Sequence, residues 1–573
     1  MARRASGVRP ADYPPPFRDT EAIAAPTDAP DERIDVGILI VGGGPGGLAC
    51  AIRLGQLLEE SPDVRERLGD VPVAVLEKGK QPGSHLLSGA VMNPRAIRKL
   101  FAGRMTIEEM PTYGQVHREA VYLLTKGASV RIPPPPTMMN RGNWVVSVSE
   151  FGRFLAEQAE AGGAMILPET TGQALLLEHG RVVGVRTGDK GRGKDGAPLG
   201  NFEPGTDVTA QATVLAEGCW GHLTGAAIRE FELADHREPQ VWELGVKEVW
   251  KVPKPLDRLI HTVGPWPLKI SSKYGQIGGT WIYPMHNEKT GDNLVSIGFV
   301  VDLEYADATT SAHDLLQLFK THPLVRKILE GGERVAWGAK ALPGGGYWSM
   351  PKLTMPGALL VGDSGGMVDT VALKGVHHCI KSGILAAETI YEQLKRGGSN
   401  FSAYEQAVED SSIGKELYEV RNTRQPFQKG FLQGGPLVNA MIATKGKFPG
   451  GRWPWHRNDH QEMFVGDSRE KYPKPDGKYI FDKLSSVFIT GNATRDDAPN
   501  HIRVRKNVPR TLAETWVWMC PAGVYEIPDD APEEGDVDVT VNYTNCVQCG
   551  AITAKGGRLT PPEGGDGPLY RVT

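Results

Sequence analysis

Three of the chain's six cysteines, Cys520, Cys546 and Cys549, fall in the last 54 residues. Cys546 and Cys549 are separated by two residues in Asn545-Cys546-Val547-Gln548-Cys549-Gly550, and Cys520 is followed by Pro521. Two intervening residues let both thiolates of one turn point at one inorganic centre. C-x2-C together with a remote C-P is the spacing of bacterial ferredoxin-type ligands, here in reversed order. Zinc asks for four ligands at similar spacing. Only three cysteines are at hand, and no histidine follows in residues 550–573. These residues favour an iron–sulfur cluster, with structural zinc and inert thiols as the alternatives. So sparse and one-sided a usage also argues against a disulfide framework.

A second constellation suits a nucleotide. Gly42, Gly44 and Gly47 fit G-x-G-x-x-G within Gly42-Gly43-Gly44-Pro45-Gly46-Gly47. Such glycines allow a tight turn and a close backbone approach to a pyrophosphate. A helix starting there presents free N–H groups and the positive end of its dipole. The flanking elements are the right ones. Ile34–Val41 is a β-branched apolar run that predicts a buried parallel strand, and Leu48–Glu59 is rich in helix formers. Val71–Leu76 predicts the next strand, and it ends in Glu77, an acid suited to ribose hydroxyls. Glu77 lies 77 − 47 = 30 residues beyond Gly47, against the usual ~20. The insert Ser61–Asp70 accounts for most of the difference.

The loop alone leaves NAD(P) and FAD open; two later segments point to FAD. Ala212–Cys219 is an apolar strand ending in Ala216-Glu217-Gly218, and Leu359–Gly366 is another, ending in Gly362-Asp363. Asp363 is placed to meet a second ribose or the pyrophosphate side, and the helix after Lys374-Gly375 to approach the isoalloxazine. Strands of one sheet so far apart in sequence imply an inserted substrate region. The arrangement resembles the p-hydroxybenzoate hydroxylase-like FAD superfamily, an α/β Rossmann-like fold.

Bulk properties narrow the class. Lys+Arg is 64 and Asp+Glu is 68, so the net charge is −4 and no nucleic-acid partner is expected. Glycine counts 70 of 573 residues, where the usual ~7% would give roughly 40. The excess falls in clusters, as ligand-hugging loops require. No run of 18 apolar residues suggests a spanning helix. Residues 1–34, with Pro14–Pro16, predict a disordered tail. Arg3-Arg4 is followed by no apolar core, which argues against a secretory signal, and Asp12, Asp19 and Glu21 argue against a transit peptide. Pro133–Pro136 predicts a surface connection, and Gly188–Gly205 a polar excursion between strands. A boundary is expected between Phe448–Trp455 and Lys471. No internal repeat is present. Neither a general base nor a Ser-His-Asp set stands out, and the His377-His378 pair is read as packed or capping.

Beyond these patterns, the chain resembles the electron transfer flavoprotein–ubiquinone oxidoreductase family from about Asp35 to the end. The matching stretches are Leu39–Gly47, Val75–Ala90, Arg141–Trp144, Ala216–His222, Gly245–Trp250, His261–Trp266, Lys374–Glu388, Tyr472–Val487, Cys520–Glu526 and Asn545–Cys549. Tyr-Pro-Lys-Pro-Asp-Gly at 472–477 and Cys-Pro-Ala-Gly-Val-Tyr-Glu at 520–526 are the most specific. The resemblance implies an α/β plus α+β architecture. An FAD-binding domain would occupy 35–240 and 341–465, a quinone-binding domain would be inserted at 241–340, and a ferredoxin-like iron–sulfur domain would span 466–573. It implies electron flow from reduced electron transfer flavoprotein, through a [4Fe–4S] cluster and FAD, to ubiquinone or menaquinone. It adds Lys78, Ser88, Gly89 and Gly375 to the FAD-binding set, and it makes Cys520, Cys546 and Cys549 cluster ligands. Gly278 and Gly279, in Tyr274–Tyr283, take the quinone role, although this stretch carries an insertion relative to the family pattern.

Two departures qualify the resemblance. The family has C-x2-C-x2-C, but the third position here is Ile552, so the fourth ligand is missing. The cluster is then [3Fe–4S], [4Fe–4S] with a non-cysteine ligand, or absent. Phe431–Lys447, a strongly apolar membrane-surface helix in the family, here holds Gln433, Asn439, Lys445 and Lys447, which implies only weak peripheral contact. The implied location is the cytoplasmic face of a bacterial inner membrane, or the mitochondrial inner membrane in a eukaryote. Two competing readings are an FAD-dependent reductase or monooxygenase of an apolar small molecule, and a degenerate flavin-binding subunit without a cluster.

Overall fold

The run Arg33–Val41 forms a strand whose last six residues are all buried. It pairs in parallel with Val73–Leu76 on one side and Asp207–Leu215 on the other. Burial on both faces is why it is apolar without alternation. The sheet runs in the order Ile23–Ala24, Gly172–Glu178, Arg181–Thr187, Asp207–Leu215, Arg33–Val41, Val73–Leu76, Met165–Leu167, with Ala358–Leu360 also parallel to Asp207–Leu215. The computed structural model describes residues 7–29, 32–89, 91–264, 266–269, 273–287, 290–429, 431–466 and 471–573.

Two helices cross beneath the glycine loop. Pro45–Glu59 packs against Val376–Lys395, and their small residues set the distance: a Cβ on Gly383 would lie 2.2 Å from the Gly46 carbonyl oxygen. The predicted insert at Ser61–Asp70 contains a short helix, Pro62–Arg67. The predicted excursion at 188–205 carries a hairpin, Lys190–Arg192 with Pro198–Glu203.

A second sheet covers the first. Its order is Glu333–Pro343, Trp242–Lys251, Asp292–Asp302, Gly278–Asn287, Leu259–Val263, Glu119–Leu124, Ser129–Ile132. The last two strands correct an expectation. Residues 119–132 lie within the expected flavin-binding stretch 35–240, but Glu119–Leu124 pairs in parallel with Leu259–Val263. Alternation marks a strand without naming its partner, so the sequence could not assign it to a sheet.

The expectation of a disordered tail over 1–34 also fails for the described part. Pro10 is buried, Ile23–Ala24 pairs with Gly172–Glu178, and Asp19 forms ion pairs with Arg229 and Arg558. Charges that look solvated in sequence are matched to arginines about 200 and 540 positions away. Residues 1–6 and 30–31 of that tail, and 467–470 of the expected boundary, lie outside the described residues.

Residues 471–573 fold as short two-stranded ladders around the helix Arg510–Met519. Their apolar side chains join those of the second sheet in one core that includes Trp250, Trp337 and Trp516. A buried charge network sits in this core. Glu248 accepts from Lys320 Nζ at 2.8 and 2.9 Å, from Gln317 at 3.1 Å and from Trp250 Nε1 at 2.7 Å. Arg334 approaches it at 3.4 Å and donates to Ser486 Oγ at 2.7 Å, which ties the sheet to the C-terminal unit. Burial opposes ionisation of Glu248, but Lys320 and Arg334 outweigh it and hold the carboxyl below its ordinary range. Removing one partner of a buried ionic set leaves the others uncompensated. Glu248→Gln is therefore expected to lower stability by about 3–5 kcal/mol, read as a fall in the urea midpoint.

The segment expected to be a degraded membrane-surface helix is the helix Phe431–Ala443, with Pro436 inside it. Gln433 and Asn439 are exposed, while Met441 is buried against the protein. No described helix is long and apolar enough to cross a membrane.

Candidate functional site

The C-terminal ends of the first sheet's parallel strands open into a deep cleft that the second sheet covers. This is where ligands bind in open α/β folds. Gly44 is the residue before the helix Pro45–Glu59, so the first turn's unpaired N–H groups face the cleft. The three motif glycines have different reasons to be glycine. Gly42 has φ +111°, and a Cβ there would meet the Ala216 carbonyl oxygen at 2.4 Å. A Cβ on Gly47 would meet the Gly42 carbonyl oxygen at 2.2 Å. Gly44 has only Leu86 Cδ2 nearby, at 3.8 Å, so its bareness serves a ligand rather than the packing.

Most residues expected to bind the flavin converge on this cleft: Gly42, Gly44, Glu77, Lys78, Ser88, Gly89, Ala216, Glu217, Gly218, Gly362, Asp363 and Gly375 all line it. Gly47 does not; it lies beneath the loop. Glu77 accepts from the backbone N–H of Gly43 at 3.0 Å and of Gly79 at 2.6 Å, so it also braces the loop. Burial raises its pKa, as it does that of Asp363, which accepts a hydrogen bond from the Cys379 thiol. Glu217 is partly engaged elsewhere: it caps the helix His222–Glu230 by accepting from the N–H of Leu223 and Thr224. Gly375 precedes the helix Val376–Lys395, whose N-terminus enters the cleft through Val376 and Cys379. Loop glycines, two helix N-termini, an acid at a strand end and two lysines, Lys78 and Lys340, form a cradle that fits the charged middle and ribose of a dinucleotide flavin.

The cover comes from Gly278–Asn287 and its neighbours. Trp281, Tyr283 and Val300 line the cleft. Gly278 and Gly279 do not line it, but they begin the same strand, and Gly279 pairs with Val300. A Cβ on Gly278 would meet the Val300 carbonyl oxygen at 2.1 Å, whereas one on Gly279 would meet nothing within 4 Å. The second sheet also pins the segment between the two layers. Ser296 Oγ donates to the Gly89 carbonyl at 3.1 Å, and Lys247 Nζ donates to the Ser88 carbonyl at 2.9 Å.

Lys247 went unnoticed in the sequence because only its fold neighbours make it unusual. It is fully buried, its cross-strand partners are Gly298 and Gly338, and among the described residues its ammonium has no carboxylate within ion-pair distance. Burial lowers its pKa to about 7, with Glu150 opposing. The folded value lies below the unfolded ~10.4. Between these values the unfolded chain binds more protons, so stability rises with pH from about 7 to 10, and the penalty is fully present below 7. Lys247→Met is expected to abolish this slope, up to about 1.4 kcal/mol per pH unit, and to stabilise the protein at pH 7. Denaturant midpoints at pH 7 and 9 measure it.

The three C-terminal cysteines are brought together beside this cleft. Cys520 and Cys546 are 6% and 7% exposed, and each of the three thiols acts electrostatically on the buried Tyr525 hydroxyl. Burial and mutual repulsion push Cys549 up to about 12 and Cys546 further. Buried, mutually repelling thiolates are held together most readily by a metal centre. The Gln548 N–H donates to Cys546 Sγ at 3.4 Å, and the Ala551 N–H bonds Cys549. Ile552 supplies no ligand: it is buried, and its side chain packs against Gly557, as does that of Val504. The only compact three-ligand group among the described residues is elsewhere, His377 and His378 around Glu416. Arg95 also pairs with that carboxylate, consistent with the packed reading of the two histidines.

The sequence reasoning missed several cleft residues, among them His85, Thr171, Trp220, His222, Lys340, His501, Gln548 and Pro561. Gln548 carried a signal, since it lies between two expected ligands, and His85, Trp220 and His222 lie in stretches matched to the family; the others carried none.

A flavin-type α/β cleft abutted by a three-thiol unit defines a flavoprotein with an iron–sulfur domain. Residues 242–342 match the family described as "ETF-QO, ubiquinone-binding", and residues 477–571 match "Electron transfer flavoprotein-ubiquinone oxidoreductase, 4Fe-4S". Curated proteins named electron transfer flavoprotein-ubiquinone oxidoreductase align over nearly the whole chain. The mitochondrial protein of Caenorhabditis elegans is 37% identical, covering 93% of this chain and 91% of its own. That of Pseudomonas aeruginosa is 35% identical, covering 94% and 99%. The chain belongs to the electron transfer flavoprotein–ubiquinone oxidoreductase family. Among solved structures, a geranylgeranyl bacteriochlorophyll reductase-like protein of Thermoplasma acidophilum shares the fold, with TM-score 0.54 and 17% identity over 72% of this chain and 92% of that one.

Proposed function

We propose that this chain accepts electrons from reduced electron transfer flavoprotein and delivers them to a membrane quinone, ubiquinone or menaquinone, with FAD and an iron–sulfur cluster as resident cofactors. One observation carries the reading: the C-x2-C loop forms part of the flavin cleft's wall. Lys78 Nζ donates to Gln548 Oε1 at 2.8 Å, and Lys340 Nζ donates to the Gln548 carbonyl at 3.2 Å. Two redox sites sharing a wall suit electron hopping, and neither a monooxygenase nor a clusterless subunit has use for the thiols.

When bound, the two cofactors supply the redox chemistry. The chain supplies position and environment. The glycine loop and helix N-terminus bind the pyrophosphate, Glu77 meets the ribose, and Lys78 and Lys340 balance negative charge at the shared wall. Trp281 and Tyr283 would exclude water and form the apolar side of a quinone slot, and Gly278 and Gly279, at the start of the same strand, would be its quinone-contacting residues. Cys520, Cys546 and Cys549 hold the cluster. With Ile552 in the fourth place, this is [3Fe–4S], or [4Fe–4S] with a non-cysteine ligand. The chain docks peripherally and weakly through Phe431–Ala443, on the cytoplasmic face of a bacterial inner membrane or at the mitochondrial inner membrane.

The test is FAD, iron and acid-labile sulfide per chain in anaerobically purified protein, with EPR and quinone reduction driven by reduced electron transfer flavoprotein. About one FAD and three to four irons, with donor-dependent turnover, are expected. A colourless protein overturns the reading, and flavin reduction by NADPH alone would favour a small-molecule reductase.

A further inference from the structure

The sequence divides the work: residues before 466 for FAD, residues after it for iron. The cleft does not respect that division. His501, from the C-terminal unit, lines it together with Glu77 and Lys78. The residue is 2% exposed, and neither Nδ1 nor Nε2 of its ring has a hydrogen-bond partner. Leaving two buried ring nitrogens unpaired costs free energy that a ligand would recover. The ring is also held in place. The His501 carbonyl accepts from the N–H and hydroxyl of Thr560, at 2.9 and 3.1 Å, and Tyr543 stands edge-on to the imidazole. Burial, with Lys78 and Arg503 adding to it, keeps the ring neutral at physiological pH. A neutral imidazole offers one donor and one acceptor.

The surroundings indicate which part of a dinucleotide would reach it. Glu77 ends the second parallel strand, the position that meets the adenosine ribose in this fold class. The C-terminal unit seats directly on that strand end: the Gly565 N–H donates to the Lys78 carbonyl at 2.8 Å, and Gln548 accepts from the Lys78 ammonium.

We propose that His501 is a ligand to the adenosine half of FAD, so that the iron–sulfur domain completes the flavin site. This rests on the reading of the cleft as an FAD site. The neutral ring donates from one nitrogen and accepts at the other, to adenine edge atoms or ribose hydroxyls, and the same domain that holds the thiols closes the nucleotide in.

The test uses full-length holoprotein stripped of flavin and titrated with FAD and, separately, with FMN, which lacks the adenosine. His501→Ala is expected to weaken FAD binding about 10-fold, to leave FMN binding unchanged and to retain wild-type iron content. His501→Asn, which keeps a donor and an acceptor, is expected to recover part of the loss. Unchanged FAD affinity in His501→Ala, or equal weakening for FAD and FMN, overturns the proposal. If His501→Ala does not fold, the same comparison with His501→Asn and His501→Phe decides it: Asn must bind FAD more tightly than Phe, with equal FMN affinity. A wild-type protein that binds no FAD would sink the underlying reading instead.

Discussion

Gly47→Val is expected to yield a protein without flavin. The Cβ position of Gly47 lies 2.2 Å from the Gly42 carbonyl oxygen, 3.0 Å from Ile40 and 3.1 Å from Ala216. Two of those neighbours are backbone or short side chain and cannot swing aside. The helix Pro45–Glu59 must therefore move off the loop, and the N–H groups aimed at the pyrophosphate move with it. Losing that cradle is expected to weaken FAD about 100-fold, roughly 3 kcal/mol. Gly44→Ala separates ligand from packing. Its new methyl meets only Leu86 at 3.8 Å, so the melting temperature should stay within a degree or two of wild type while FAD still binds more weakly. Flavin fluorescence on both variants, with iron content as the control, measures the contrast. Normal FAD in Gly47→Val would show that the loop is not the pyrophosphate site.

Cys546→Ser is expected to lose its iron. Ile552 is buried against Gly557 and offers no ligand atom, so on the proposed reading three thiols hold the cluster. A serine hydroxyl is a hard, weakly acidic ligand where a thiolate is needed. With two cysteines left, both iron and acid-labile sulfide should fall below a tenth of the wild-type content, and the visible absorption of the cluster should vanish. The wild-type site should also assemble poorly at low pH. Burial and mutual repulsion raise Cys546 and Cys549, so binding must expel their protons, and acid competes with it. Iron retained at wild-type levels in Cys546→Ser would remove this cysteine from the ligand set.

Each of these predictions begins from a pattern only a few residues long. The glycine loop, the acid after the next strand and the C-x2-C turn were legible because each reflects a constraint within one turn or one βαβ unit: a φ that only glycine adopts readily, a helix that must start there, two sulfurs that must share a turn. Where the reading failed, the deciding partner was far along the chain. Asp19 looked like part of a solvated tail until Arg229 and Arg558 met it. Residues 119–132 fell inside the expected flavin-binding stretch, yet their two strands join the other sheet.

The chain alone thus determined which cofactors it is built to hold and offered candidate residues for holding them. Folding decided everything that depends on burial and on long-range pairing. It sealed Lys247 between two glycine-bearing strands, aimed His501 into a cleft formed mostly by other segments, and set Gln548 against Lys78 across 470 positions. A side chain's local sequence does not say what solvent it loses or which distant group it meets, and those two quantities set the charge, hydrogen bonding and access on which electron transfer depends.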